Sequence, residues 1–310
     1  MKSTAAPSTS SLGILLAVAA TIIWSGNFII SKAITNDIAP VALSFYRWST
    51  ATVLLLPFAW KHIAATRQIV KEHKQYFFWT ALTGISLFNT FVYVAGQSST
   101  AINMALIGTT SSPIISVLLA HYFLKEQINL RRVLGMLLCI SGILFLLSKG
   151  SVYNLLHLQF TKGDVWILLA AASFACYNIF ARKRPAHINA TGFLFFLFAI
   201  GTAILIPAYA VESYFTASIH WSMKVSGSIL YLGLGTSVIA FLFWNRSIKE
   251  LGAGRTALFG NLIPIFSSLE AVALLGERIT IIHIISFILI ASGLLIDNLQ
   301  LFFRKPAAAL

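Results

Sequence analysis

The sequence predicts an all-α polytopic membrane protein with ten transmembrane helices, arranged as two inverted repeats of five helices. Composition is the first observation behind this prediction. Hydrophobic residues make up 58% of the 310-residue chain and charged residues only 10%, whereas soluble domains are about 45–50% apolar and about 25% charged. The second observation is a series of ten long apolar segments, and the third is a set of residues that recurs at a constant offset.

Each predicted span is an apolar run of about 20 residues, the length that crosses the hydrocarbon core of a bilayer. Short polar or Gly/Pro-containing stretches separate the runs. The ten segments are 12–33, 41–60, 76–95, 101–122, 132–149, 163–182, 191–211, 226–247, 255–275 and 281–303.

The two ends of the chain are expected to lie outside the folded unit. Residues 1–11 are rich in Ser, Thr and Ala and are expected to form a disordered tail. The first apolar run is too long for a signal-peptide core, which predicts a retained helix. Residues 306–310 resemble a cloning scar. The first repeat is therefore predicted at 12–149 and the second at 163–303.

The distribution of Lys and Arg predicts the orientation. If both termini are cytoplasmic, sixteen Lys and Arg lie on the cytoplasmic side and five on the outer side. Such a bias follows the positive-inside rule. It predicts a multi-pass protein of the plasma membrane, the inner membrane in bacteria, with both termini in the cytoplasm.

An offset of 151 residues relates the two halves without gaps. Leucine matches carry little information in so apolar a chain, but polar, Gly and Pro matches carry more. Because each half has five helices, an odd number, the halves must cross the membrane in opposite directions, as in many secondary transporters. The recurring pairs include Asn27/Asn178, Gly84/Gly235, Ser86/Ser237, Pro113/Pro264, Ser116/Ser267, Glu126/Glu277, Ser141/Ser292 and Gly142/Gly293.

Several function classes are disfavoured. The net charge of +13 arises from Lys and Arg between apolar runs, so it does not indicate a nucleic-acid-binding face. Cys139 and Cys176 lie inside apolar segments, and no CxxC or His/Cys cluster predicts a metal or another cofactor. No Walker motif indicates ATP hydrolysis. A membrane-embedded enzyme would need paired His, Asp or Glu groups near one face, and none stand out, so no enzyme is expected.

These residues also resemble the EamA-type unit of the drug/metabolite transporter superfamily. The family prefers glycine where Lys125 stands, and this is the one departure in the first copy. The segments that carry the resemblance are Trp24-Ser25-Gly26-Asn27-Phe28, Tyr46-Arg47-Trp48, Ser111-Ser112-Pro113-Ile114-Ile115, Leu124-Lys125-Glu126, Gly135, Ser141-Gly142, Pro264, Leu275-Gly276-Glu277 and Ser292-Gly293.

The resemblance implies a ten-helix carrier in the lipid bilayer that exports amino acids or related small amphipathic metabolites by alternating access. Cationic drugs are one alternative, with Glu270 as counter-ion. Nucleotide sugars or sugar phosphates are another, but several buried Lys or Arg would suit a phosphate, and only Arg47 lies well inside a span rather than near its end. Protons are a candidate coupling ion, and a homodimer is an assembly that the sequence allows.

The candidate substrate-binding residues are polar or aromatic groups on faces of the predicted spans. They would form a hydrogen-bonding wall for an amphipathic solute, or alternatively bond neighbouring helices to each other. The set is Trp24, Asn27, Asn89, Tyr93, Tyr177, Asn178, Ser237 and Trp244.

Pro113 and Pro264 are the candidate gating hinges. Each removes a backbone donor from its segment and loosens the preceding turn. The alternative is a kink that the membrane helix simply tolerates.

Arg47 and Glu270 are the clear ionisable residues inside apolar segments, and their counterparts at the repeat offset, Phe198 and Leu119, are apolar. Intramembrane charges are functional candidates by default. Both lie roughly 8–9 Å below the same boundary at 1.5 Å per residue, which predicts a charge pair that couples transport to protons. Snorkelling of Arg47 and a neutral structural hydrogen bond of Glu270 are the alternatives.

Overall fold

The computed structural model describes residues 11–156, 160–185, 188–252, 255–256 and 259–303. Helices and turns make up this part of the chain, and no β-strand occurs in it. The predicted tail, apart from Ser11, and the predicted scar at 306–310 lie outside the described residues.

The first half contains six helices, and a short helix follows it. The third and fourth helices join through a π-helical segment, Leu82–Leu87, into one continuous element. The helices are α1 Ser11–Ala33, α2 Pro40–Glu72, α3 Lys74–Ala81, α4 Phe88–Gly96, α5 Ala101–Leu124, α6 Leu130–Leu147 and the short α7 Val152–Leu156.

The second half repeats this order. A π-helical segment, Tyr231–Ile239, again joins two helices at the position that corresponds to the first one. A 3₁₀ turn, Gly260–Leu262, precedes the twelfth helix. The helices are α8 Lys162–Arg182, α9 Ala190–Phe215, α10 Met223–Leu230, α11 Ala240–Leu251, α12 Ile263–Leu275 and α13 Ile281–Phe303.

Six helical stretches combine the length and the apolar composition of a membrane span. Three shorter apolar helices lie at Val133–Leu147, Gly260–Leu275 and Ile281–Ile296. The described residues therefore confirm a polytopic helical protein, while the number ten stays a prediction. The six long stretches are Ser11–Ala33, Lys74–Gly96, Ala101–Leu124, Lys162–Arg182, Ala190–Phe215 and Met223–Leu251.

The turn after α5 explains the departure at Lys125. This residue ends α5 in the left-handed conformation, with φ 55°, and Gly276 ends α12 with φ 67°. Left-handed residues commonly end helices, and glycine is favoured there because it has no Cβ. The two copies thus share one turn geometry despite the different residue.

Helices from the two halves pack on each other in matching pairs. Helix α1 packs on α11 and α12, and its counterpart α8 packs on α4 and α5; α2 packs on α9, and α6 on α13. The α6–α13 contacts are reciprocal. A Cβ on Gly142 would lie 2.9 Å from the carbonyl oxygen of Ser286, and a Cβ on Gly293 2.5 Å from that of Gly135. These two contacts exchange under the 151-residue offset.

Two carboxylates of the second half each bind the N-terminus of a helix in the first half. Glu212 accepts hydrogen bonds from the backbone N–H groups of Val41 and Ala42, at 3.0 and 2.7 Å. Glu277 accepts from those of Ala101 and Ile102, at 2.8 and 3.1 Å. Each satisfies amides that a helix leaves unpaired and places negative charge at the positive end of its dipole.

The two proline segments differ. Helix α5 runs unbroken through Pro113. In the second copy α12 begins only at Ile263, and Pro264 occupies its first turn after the 3₁₀ segment. Proline fits a first turn because the N–H that it lacks would be unpaired there in any case.

Candidate functional site

A buried guanidinium lies at the meeting point of both halves. Arg47 of α2 is only 5% exposed. Its Nη1 donates to Asn27 Oδ1 at 2.6 Å, to Asn89 Oδ1 at 2.6 Å and to the Tyr93 hydroxyl at 2.7 Å. Its Nε donates to Ser237 Oγ at 3.2 Å. We call these five residues the Arg47 cluster.

The local helix geometry presents these acceptors. Asn89 and Tyr93 are four residues apart on α4 and therefore share a face. Ser237 lies in the second π-helical segment, where its hydroxyl donates to the carbonyl of Leu232, five residues earlier, at 2.9 Å. π-Helical turns are rare and frequently occur at functional sites.

The electrostatics of the cluster are unbalanced. All four partners of Arg47 are neutral, and no carboxylate bonds to it among the described residues. A buried cation without a counter-ion is costly, and the amide and hydroxyl oxygens offset only part of that cost. Three acceptors crowd Nη1, while Nη2 makes no hydrogen bond within the described part of the chain. Nη2 therefore keeps two N–H donors that no described residue accepts.

Glu270 lies in a separate place. Its Oε1 is 2.6 Å from Ser25 Oγ of α1, and its Oε2 is buried without a hydrogen-bond partner among the described residues. The direct pair of Arg47 with Glu270 predicted from their equal depth is therefore wrong for this structure. The reason is angular: Ser25 and Asn27 lie about 200° apart around α1, so α1 stands between the two charges.

The predicted tryptophans meet on one side of α1. The Trp24 and Trp244 ring centroids are 5.0 Å apart, and Phe241 lies 6.1 Å from Trp24. The Trp24 indole N–H donates to the carbonyl of Thr236 at 3.0 Å. This aromatic pair adjoins the π-helical segment that also carries Ser237.

Tyr177 and Asn178 lie on α8, and neither forms a hydrogen bond to the Arg47 cluster within the described residues. Asn178 Nδ2 donates to Ser116 Oγ at 3.3 Å. The Tyr177 ring covers Gly84, where any Cβ would collide with it, and stacks with Phe174 at 5.4 Å. The structure thus gathers Asn27, Asn89, Tyr93 and Ser237 around Arg47 and leaves these two against α5 and the first π-helical segment.

Three residues that make these interhelical contacts were not among the candidates predicted from the sequence. Ser25 was visible only as part of a motif, and its role depends on which helix faces it. Thr236 acts through its backbone carbonyl, which no side-chain pattern can reveal. Glu212 has Lys61 at its repeat position, so the offset gave no signal for its role at the start of α2.

A model of the EamA-like transporter family matches residues 11–148 and again residues 161–298. This chain belongs to the EamA-like transporter family. The two matches fall on the two predicted repeats, and the membership agrees with the resemblance to the drug/metabolite transporter superfamily. The chain is therefore a multi-pass membrane protein of a transporter family.

Named relatives agree with this membership. The uncharacterized transporter YyaM of Bacillus subtilis strain 168 is 26% identical over 275 residues, covering 88% of this chain and 89% of the relative. A probable amino-acid metabolite efflux pump of Escherichia coli strain K12 is 23% identical over 304 residues, covering 94% and 96%. One crystal structure superposes with a TM-score of 0.64 at 18% identity, over 93% of this chain and 98% of that one, which shows the fold alone.

Replacing Asn89 with leucine should lower stability by about 1–3 kcal/mol, because it takes an acceptor from a buried charge. The matched control is Asp37→Asn, which breaks the half-exposed 2.8 Å ion pair with Lys224 and should cost under about 1 kcal/mol. Thermal unfolding of both purified variants in detergent measures the difference. Equal, small shifts for the two variants would contradict the described cluster.

Proposed function

We propose that this chain is a secondary transporter that exports amino acids or related small amphipathic metabolites by alternating access. The observation that carries the proposal is the unused Nη2 of Arg47 inside a neutral, buried cluster. A carboxylate supplies the missing charge and can accept a charge-assisted hydrogen bond from Nη2, the nitrogen whose hydrogens no described residue accepts. The name of the E. coli relative, a probable amino-acid metabolite efflux pump, supports the same substrate class.

The charge inventory favours a carboxylate over a phosphate. Arg47 is the only buried Lys or Arg among the residues whose side chains the structure describes. A sugar phosphate or nucleotide sugar carries more negative charge, which several cations would have to balance. A single cation surrounded by amide and hydroxyl groups suits a monocarboxylate.

The remaining candidate residues form the surroundings of the solute in this proposal. The Trp24–Trp244 pair gives apolar and aromatic surface to the solute's side chain. Tyr177 and Asn178 line the opposite side from α8. Both rings of the Trp pair are partly exposed, which supports a place beside a cavity rather than in the core.

Pro113 and Pro264 act as hinges in this proposal. The support is their unequal geometry: the same motif is a continuous helix in one copy and starts after a 3₁₀ turn in the other. In an inverted-repeat carrier, an exchange of these two geometries would reverse the face to which the site opens. The reciprocal glycine contacts between α6 and α13 support a two-fold relation between the repeats, and the ten apolar segments support the ten-span count.

Transport should require a carboxylate on the solute. The test uses liposomes that contain the protein and the L-amino acid that most raises its melting temperature, since a ligand of the folded state stabilises it. The matching amine, which lacks the carboxylate, should fail to compete in counterflow. Arg47→Lys should lower the flux about tenfold or more, because an ammonium lacks the guanidinium fork.

The control for this test is Lys224→Met, which removes an exposed cation that pairs with Asp37 and with no residue of the Arg47 cluster, and should leave the flux near the wild-type value. Equal competition by the amine, or full flux in Arg47→Lys, would contradict the proposed site.

We place both termini on the cytoplasmic side of the inner membrane, because this arrangement puts sixteen Lys and Arg on that side and five on the other. Single cysteines at His73 and Ser218, two exposed positions in turns at opposite ends of the bundle, test this orientation in a variant without native cysteines. A membrane-impermeant maleimide added to intact cells should label the Ser218→Cys protein and spare His73→Cys. The reverse labelling would invert the topology.

A further inference from the structure

We infer that Glu270 and Ser25 form a proton-binding site, distinct from the Arg47 cluster, and that a proton occupies it in the state described here. The inference rests on the proposed transport function and deepens it, because it names the coupling ion as a proton. Its basis is hydrogen-bond geometry around one hydroxyl group.

The Ser25 hydroxyl is 2.6 Å from the carbonyl oxygen of Ile22 and also 2.6 Å from Glu270 Oε1. A serine hydroxyl has one hydrogen to donate and can accept as well. With that hydrogen on the Ile22 carbonyl, two bare oxygens would face each other at 2.6 Å unless Glu270 carries a hydrogen. A protonated Glu270 donates from Oε1 to Ser25 Oγ, and both short contacts become hydrogen bonds.

The other carboxyl oxygen leads to the same assignment. Glu270 Oε2 is buried and has no hydrogen-bond partner among the described residues. An ionised carboxylate would leave that oxygen charged and unpaired away from water, which costs far more than burying a neutral group. In the neutral acid Oε2 is a carbonyl oxygen.

Other titratable groups of the neighbouring elements are engaged elsewhere. Helix α12 packs on α1 and α5. Lys32 of α1 donates to the Gly96 carbonyl at 3.2 Å, and His121 of α5 lies 2.7 Å from the Glu126 carbonyl. Tyr231, from the second π-helical segment, faces Glu270 but donates to the Ile23 carbonyl at 2.8 Å. No cation among the described residues forms an ion pair with Glu270.

Helix α1 links the proton site to the anion site. Ser25 contacts Glu270, and Asn27, two residues later, contacts Arg47. Loss of the proton to water on one side of the membrane would leave a carboxylate that needs the Ser25 hydrogen, which is taken from the Ile22 carbonyl. The contact of α1 with α12 would change, and with it the position of Asn27. Proton entry and solute exit would thus be coupled through one helix.

Infrared spectroscopy of the protein in lipid vesicles tests the site without a substrate. The wild-type protein at neutral pH should show the carbonyl stretch of a neutral carboxylic acid, and Glu270→Gln should lack it. Glu270→Asp should keep a shifted band, which guards against misfolding as the cause of the loss. Glu72→Gln, at an exposed carboxylate bonded to Gln68, should keep the wild-type band. Absence of a band that depends on Glu270 overturns the inference.

Flux measurements separate this inference from the proposed function. With the same L-amino acid as probe, a pH gradient should drive net transport by the wild type, while Glu270→Gln should lose gradient-driven transport and keep counterflow. If wild-type transport does not respond to a pH gradient, or is driven by a sodium gradient instead, proton coupling is overturned. The proposed transport function would then still stand. Lack of any amino-acid flux in the wild type would overturn the proposed function. The infrared measurement would still test whether Glu270 carries a proton.

Discussion

A buried guanidinium without a counter-ion is the constraint on which the centre of this protein depends. Arg47 can remain charged there only because four neutral oxygens converge on it. Those oxygens come from α1, α4 and the second π-helical segment, so the charge holds together helices from both repeats. Moving any one of these elements removes at least one acceptor, and the proposed carboxylate of the solute would compensate for that loss. The same imbalance therefore explains the packing and supports the proposed chemistry.

Different interactions connect the helices at the two ends of the bundle. At the face where α1 ends, Glu212 and Glu277 each bind two backbone amides of a helix N-terminus from the other half. At the face where α1 begins, Glu126, the repeat counterpart of Glu277, pairs with Arg182 at 2.8 Å on the surface. Two copies of one motif thus make different contacts in one structure. Such inequality between repeats is what an alternating-access carrier needs, because one sequence pattern must support two arrangements.

Much of this architecture could be predicted from the sequence because its signals are periodic. The 151-residue offset predicted corresponding helices, and it also aligned the two π-helical segments and the left-handed turns at Lys125 and Gly276. Residues that bind Arg47 were each singled out, since a polar group in an apolar span needs a partner. Which partner each group takes was not predictable. Depth along a helix follows from residue number, but the direction around the helix axis depends on packing, so Arg47 and Glu270 were wrongly paired across α1.

In the proposed function, Nη2 of Arg47 binds the carboxylate of the solute. A crystal structure of the protein with the stabilising L-amino acid bound tests it most directly. A carboxylate oxygen should lie within hydrogen-bond distance of Arg47 Nη2, with the solute's side chain beside the Trp24–Trp244 pair. An amino acid bound elsewhere, with Arg47 still enclosed by its four neutral partners, would mean that Arg47 has a structural role instead.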